Sequence, residues 1–176
     1  MKTRSKLLLV LLAALILLYA VFVLKAFNSV SFDQGLEKIN LMEEKFVLQG
    51  SLVPSEEQKL KEYQLELTDI EIELTEKNIN NDAKALNYLI DVKKELILMK
   101  LNLIGLEKTS SCTERLELID SVRSSAISAR DSMQNYIANY SVFAEKTAEF
   151  NSNVLDTTSS VIISFKKLKE QTAENC

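Results

Sequence analysis

Apolar and polar positions divide this chain into one uninterrupted apolar run and a series of stripes with three-four spacing. From Leu7 to Leu24 eighteen residues pass without a charge, bounded by Lys6 and Lys25. A helix of that length reaches about 27 Å at ~1.5 Å per residue. The hydrocarbon core of a bilayer is ~30 Å thick, and flanking lysines can extend to its two faces. The run therefore predicts a single transmembrane signal-anchor helix over residues 7–25, with the lipid bilayer as the partner of 7–24. A cleaved signal peptide is the rival reading, but its apolar region is shorter and ends at a small-x-small site. Cleavage after Ala20 or Ala26 would find Leu18 or Leu24 where a small residue is wanted.

Beyond residue 31 the period becomes helical. Phe32, Leu36, Ile39 and Phe46 share one face of residues 32–48, interrupted by Glu43. Over residues 56–79 the positions Leu60, Tyr63, Leu67, Ile70 and Leu74 form the seam of a coiled-coil or bundle helix. Leu65, Ile72 and Ile79 make a second stripe, so this helix is expected to bury two faces. The same stretch alternates by two between Leu65 and Leu74, which is a strand signal, but its neighbours offer a strand no partner. From Ala85 the seam restarts one residue out of register, through Leu89, Val92, Leu96, Met99, Leu103 and Leu106. The slip falls on Asn78–Asp82, an Asn/Asp cluster that competes for backbone hydrogen bonds and can break a helix. The longest seam comes next: Ile119, Val122, Ala126, Ala129, Met133, Tyr136, Tyr140, Phe143, Thr147, Phe150, Val154, Thr157, Val161, Ser164 and Leu168. Spacing that never skips, with no stop signal inside it, argues for one continuous helix.

Boundaries are sparse, because the chain holds three Gly and one Pro. Gly35 lies near the start of the first helical segment, Gly50 and Pro54 bracket its end, and Gly105 precedes the Ser110-Ser111 turn. Three helix starts carry the capping-box pattern, Ser31 with Gln34, Ser55 with Gln58 and Ser111 with Glu114. In each the hydroxyl can accept from an orphan amide while the longer side chain reaches back. The fold class is thus all-α. Residues 1–6 form a stub, 7–25 the membrane helix, 26–54 a juxtamembrane helix and turn, and 55–176 the helical domain.

Charge adds direction. Lys2, Arg4 and Lys6 precede the apolar run and only Lys25 follows it closely, which predicts a cytoplasmic N-terminus and an exoplasmic domain on the cell membrane. Setting those four aside leaves 17 basic against 25 acidic residues, a net of −8. Such a domain offers no basic surplus for a phosphate backbone, so no nucleic-acid partner is expected.

Two architectures satisfy the pattern. One is a long antiparallel hairpin of residues 56–108 and 112–174, turning near 109–112, whose second arm would run about 90 Å. The other is an up-down-up-down four-helix bundle that folds near 78–82 and 138–153. The unbroken seam and missing Gly and Pro favour the hairpin. Cys112 and Cys176 favour the bundle, because only there would they meet within one chain, and an oxidising exoplasmic space permits a disulfide.

Catalytic equipment is missing from the pattern. There is no His, which removes the commonest general base and metal ligand near neutral pH. No phosphate-binding, dinucleotide or nucleophile-elbow motif occurs. The acidic pairs Glu43-Glu44 and Glu56-Glu57 read as solvated faces. Arg123 and Arg130, seven apart beside the long seam, suit ion pairs with a facing helix or an anionic ligand between helices. Lys166, Lys167 and Lys169 complement a helix C-terminus. Asn139-Tyr140-Ser141 matches the N-glycosylation pattern, but Tyr140 falls on the seam. The expectation is a non-enzymatic interaction protein without cofactor or metal, acting as tether, spacer or subunit of a membrane complex. Its protein partner or second copy would meet the seam positions Ile119, Val122, Met133, Tyr136, Tyr140, Phe143, Phe150, Val154, Val161 and Leu168. The alternative is a sensory or ligand-binding ectodomain that works with a signalling partner.

Overall fold

The computed structural model describes residues 31–45, 54–77 and 80–176. Among them are six helices: α1 (Phe32–Lys45), α2 (Pro54–Lys77), α3 (Asn81–Lys108), α4 (Cys112–Asn139), α5 (Ser141–Lys146) and α6 (Ala148–Asn175). None of the described residues is in a strand. The described helices include none long and apolar enough to cross a membrane. The run 7–24 and its flanks Lys2, Arg4, Lys6 and Lys25 lie outside the described residues.

Helix α1 begins with the expected reciprocal cap. The Gln34 amide donates to Ser31 Oγ at 3.4 Å, and the Ser31 amide donates to Gln34 Oε1 at 3.3 Å. A second orphan amide, that of Phe32, donates to Asp82 Oδ2 at 2.8 Å, which ties this helix to the first turn of α3. Gly35, near the start of α1 as expected, also marks a close crossing: a Cβ there would run into Leu86 Cδ1, and Leu86 is fully buried.

Helix α2 starts at Pro54 rather than Ser55. Proline suits the first helical position, where its missing N–H costs nothing. Its inner stripe of Leu60, Tyr63, Leu67, Ile70 and Leu74 is buried as the spacing predicts. The second stripe is not buried at its described positions, for Leu65 and Ile72 are 67% and 51% exposed, and Ile79 lies outside the described residues. Helix α2 packs on α3 and buries one face only.

The Asn cluster does break the chain. Asn80 caps α3 by accepting from the Ala83 amide at 2.8 Å. Helix α3 is then buried on more than one side, because α1, α2 and α4 all pack against it. Positions outside the predicted seam, such as Ala83, Leu86, Ile90 and Ile97, join Ala85, Leu89 and Val92 in the core. At the α3–α4 turn the expected Ser111 cap does not form. Thr109 Oγ1 instead donates to Glu114 and accepts from the Ser111 amide at 3.2 Å.

The straight hairpin is corrected at the end of α4. Its second arm is not one helix: the chain leaves helical geometry at Tyr140 (φ −132°, ψ 46°) and again at Thr147 (φ −117°, ψ 22°). Between the two bends lies the short α5, and α6 then returns along α4. The long helices are therefore 28 residues each, about 42 Å at ~1.5 Å per residue, in place of a ~90 Å arm. Their order of contact is serial, α2 on α3, α3 on α4 and α4 on α6. Met99, Val122 and Ala126 centre the core where α3, α4 and α6 converge, with Leu96, Leu103, Val161, Ile162 and Phe165 packed around them. Antiparallel register is fixed by ion pairs. Glu57 meets Lys108 at 2.6 Å, and Glu71 meets Lys94 fourteen residues along both helices. On the other side Lys169 meets Asp120 at 2.6 Å.

Candidate functional site

The seam residues are placed by these helices, and most are consumed inside the chain. Ile119, Val122, Met133 and Tyr136 are fully inaccessible and Val154 is buried; Tyr140, Phe143, Phe150, Val161 and Leu168 are half-buried. The three-four count fails after Val154. Thr157 and Ser164 face solvent, while Asn151, Thr158, Ile162 and Phe165 turn inward. A partner can reach the fully buried members only by opening the fold.

Cys112 and Cys176 are joined as a disulfide with Cα atoms 5.8 Å apart, inside the ~4.4–6.8 Å such a bond needs. The bond ties the first residue of α4 to the residue after α6. Arg123 and Arg130 do not make the expected cross-helix pairs. Arg130 binds its neighbour Asp131 at 3.1 Å, and the buried Nε of Arg123 has no hydrogen-bond partner among the described residues. Of the lysine cluster, Lys169 serves Asp120 and the other two are exposed. Asn139 ends α4, exposed, and its Nδ2 donates to the Asn135 carbonyl at 2.8 Å.

At the far end of the α4–α6 pair sits a buried polar chain that spacing does not signal. Tyr136 OH and Thr147 Oγ1 are 3.1 Å apart, Thr147 Oγ1 reaches Asn151 Oδ1 at 3.1 Å, and Asn151 Nδ2 donates to the Ala144 carbonyl at 2.9 Å. Burial pushes the Tyr136 phenol above its ordinary value, with the Thr147 hydrogen bond opposing it. Buried polar groups that satisfy one another hold a geometry firmly, and here they hold the reversal from α4 to α6.

The groups with chemical reach converge elsewhere, around Lys93 on α3. Its side chain is 7% exposed, an unusual state for lysine. Its Nζ donates to Glu43 Oε2 on α1 at 2.6 Å and lies 4.5 Å from the centre of the Phe150 ring on α6. An aromatic face and a carboxylate together offset part of the cost of taking the ammonium from water. Two hollows share these three residues. The larger, about 300 Å³, runs between α1 and the α5–α6 bend over Leu36, Asn40 and Leu89. The smaller, about 110 Å³, is bounded by Tyr63, Leu96, Ile97 and Lys100. Burial, and then the charge of Glu43, push the Tyr63 phenol upward. The floor spans Leu89 to Lys100, about 16 Å along the helix axis. The result is a trough that is apolar over Leu96, Ile97 and Phe150 and polar toward Asn40, Thr147 and Glu149, with a buried ammonium at its waist, able to present donors to an acceptor in a partly dry setting.

Sequence spacing places Phe150 on a seam but passes over Lys93, which sits beside Val92. The available signal is weak: Lys93 is four residues from both Leu89 and Ile97, so a helix buried on two sides must enclose it. Among the described residues no three His, Cys, Asp or Glu side chains are grouped to hold a metal ion. No family model, curated protein or solved structure matches the chain.

Proposed function

We propose that this chain is a membrane-anchored helical interaction protein, held by residues 7–24 with its domain on the exoplasmic face, serving as a tether or subunit of a membrane complex. The observation that carries the reading is the Cys112–Cys176 disulfide, a bond that persists in oxidising compartments and is rare where thiols are kept reduced. It accords with the charge-free run 7–24 and the basic residues before it. A spacer role would now rest on helices of about 42 Å. Partner contact would fall on outward residues, of which Leu65 and Ile72, seven apart on α2, are the most exposed apolar pair on one helix among the described residues. The reading assigns no catalytic residue, cofactor or nucleic-acid contact.

The test uses the full chain in its own membrane. The protein should resist carbonate extraction, external protease should reach the domain in intact cells, and thiol labelling should find Cys112 and Cys176 blocked until reduction. Free thiols in the cell, or a domain shielded from external protease, would defeat the exoplasmic placement. Chemical crosslinking of the same membranes should give a discrete adduct that Leu65→Lys with Ile72→Lys abolishes.

A further inference from the structure

The two hollows around Lys93 meet at an enclosed ammonium. Glu43, its one carboxylate partner among the described residues, stands on the last turn of α1 and is 53% exposed, whereas Lys93 is nearly enclosed. A buried ammonium carries three donors, and here one goes to Glu43 while the Phe150 ring covers another direction. Lys100 lines the same small hollow and has no carboxylate partner among the described residues. Leu96 and Ile97 lie between the two lysines, with Tyr63 and Phe150 as walls.

We propose that this trough binds a small monocarboxylate with an apolar body, the carboxylate replacing Glu43 on Lys93 and the body lying over Leu96, Ile97 and Phe150. The exchange keeps the enclosed ammonium paired throughout and releases Glu43 to water, where it is already half solvated. A purely apolar guest would leave the Lys93–Glu43 pair in its path, and a multiply charged anion would have to desolvate against Glu43 and Glu149 at the rim, where Lys146 is already paired with Asp33. Small pockets with a few convergent polar groups on apolar walls are the usual form of a ligand site. The inference does not depend on the membrane reading, because it concerns the described helices alone.

The experiment is titration of the full chain in lipid nanodiscs with hexanoate, followed by ligand-detected saturation-transfer NMR and calorimetry against empty nanodiscs. Hexanol tests the apolar body without the charge, and acetate the charge without the body. Hexanoate should bind saturably, and both controls should bind at least about tenfold more weakly, hexanol for want of the charge-assisted hydrogen bond and acetate for want of the buried methylenes. Lys93→Met should remove hexanoate binding. Glu43→Gln should tighten it severalfold, because the internal competitor has lost its charge; a merely structural ion pair would not give that increase. Absence of saturable hexanoate binding to the wild type overturns the proposal. So does hexanol binding as well as hexanoate, or Glu43→Gln leaving the affinity unchanged or weaker. Should Lys93→Met not fold, Lys100→Glu replaces it: a carboxylate added to the same hollow should repel the ligand, with a weakened hexanoate affinity expected and an unchanged one counting against the site.

Discussion

Two antiparallel helix pairs flank the centre of this domain, α2 with α3 and α4 with α6, and they are closed by different chemistry at both ends. The α2–α3 pair turns at Asn80, whose side chain caps α3, and its open end is held by the exposed carboxylate of Glu57 between Lys108 and Lys61. The α4–α6 pair turns through the buried Tyr136–Thr147–Asn151 chain, and its open end is held by the disulfide. One pair uses solvated, reversible contacts; the other uses a covalent bond and enclosed hydrogen bonds. The difference follows from the partners available. Helix α2 offers a complete buried stripe from Leu60 to Leu74, whereas the buried positions of α6 are Asn151, Val154 and Thr158, two of them polar.

The largest expected effect comes from cutting the covalent end. The bond joins residues 64 apart, and a loop of that length constrains the unfolded chain by about 4 kcal/mol in the chain-entropy account. The double variant Cys112→Ser/Cys176→Ser should lose stability on that scale, read as a lowered urea midpoint. Hydrogen exchange should show the last turns of α6 opening well before α2 and α3. Uniform loosening of both pairs would mean that the disulfide serves the whole domain, and the contrast between the pairs would fall.

The two turns supply the next test. Asn151→Ala removes two enclosed hydrogen bonds at the α4–α6 bend and should cost about 2 kcal/mol. Asn80→Ala removes one half-exposed cap at the other turn and should cost about 1 kcal/mol. Equal losses in urea unfolding would show that enclosure adds nothing to the second turn.

These turns also show which parts of the fold could be read from the chain. The Asn78–Asp82 cluster announces the first reversal because Asn competes for backbone amides, and Asn80 does so as the α3 cap. The second reversal leaves no comparable mark. Through both bends the backbone keeps near-helical bonds, from the Tyr140 amide to the Tyr136 carbonyl, from Ala144 to Tyr140 and from Asn151 to Thr147. Three-four spacing therefore continues through Tyr140, Phe143, Thr147 and Phe150 while the axis turns, and periodicity cannot distinguish a bent helix from a straight one. The two cysteines carry the missing information, since only a folded arm brings Cys176 back to Cys112. The trough is less legible still. Enclosure of Lys93 depends on α1 and α6 lying on either side of α3, a tertiary fact that no window along α3 contains.

The smallest effect lies at the solvated end of α2–α3, and pH is the way to reach it. Hydrogen bonds from Lys108, and then from Lys61, hold the Glu57 carboxyl down at about 2 from an ordinary 4.5. Between those values the unfolded chain binds the proton and the folded one does not, so stability falls as the solution is acidified. The contribution is whole above about pH 4.5 and drains away as pH approaches 2. Because Glu57 is solvated, the effect should be modest and should shrink further in high salt. Glu57→Gln should flatten this part of the stability–pH curve, while the double cysteine variant should keep its slope and shift only its height. A slope that survives Glu57→Gln would move the acid sensitivity elsewhere and leave the α2–α3 pair without the reversible closure assigned to it.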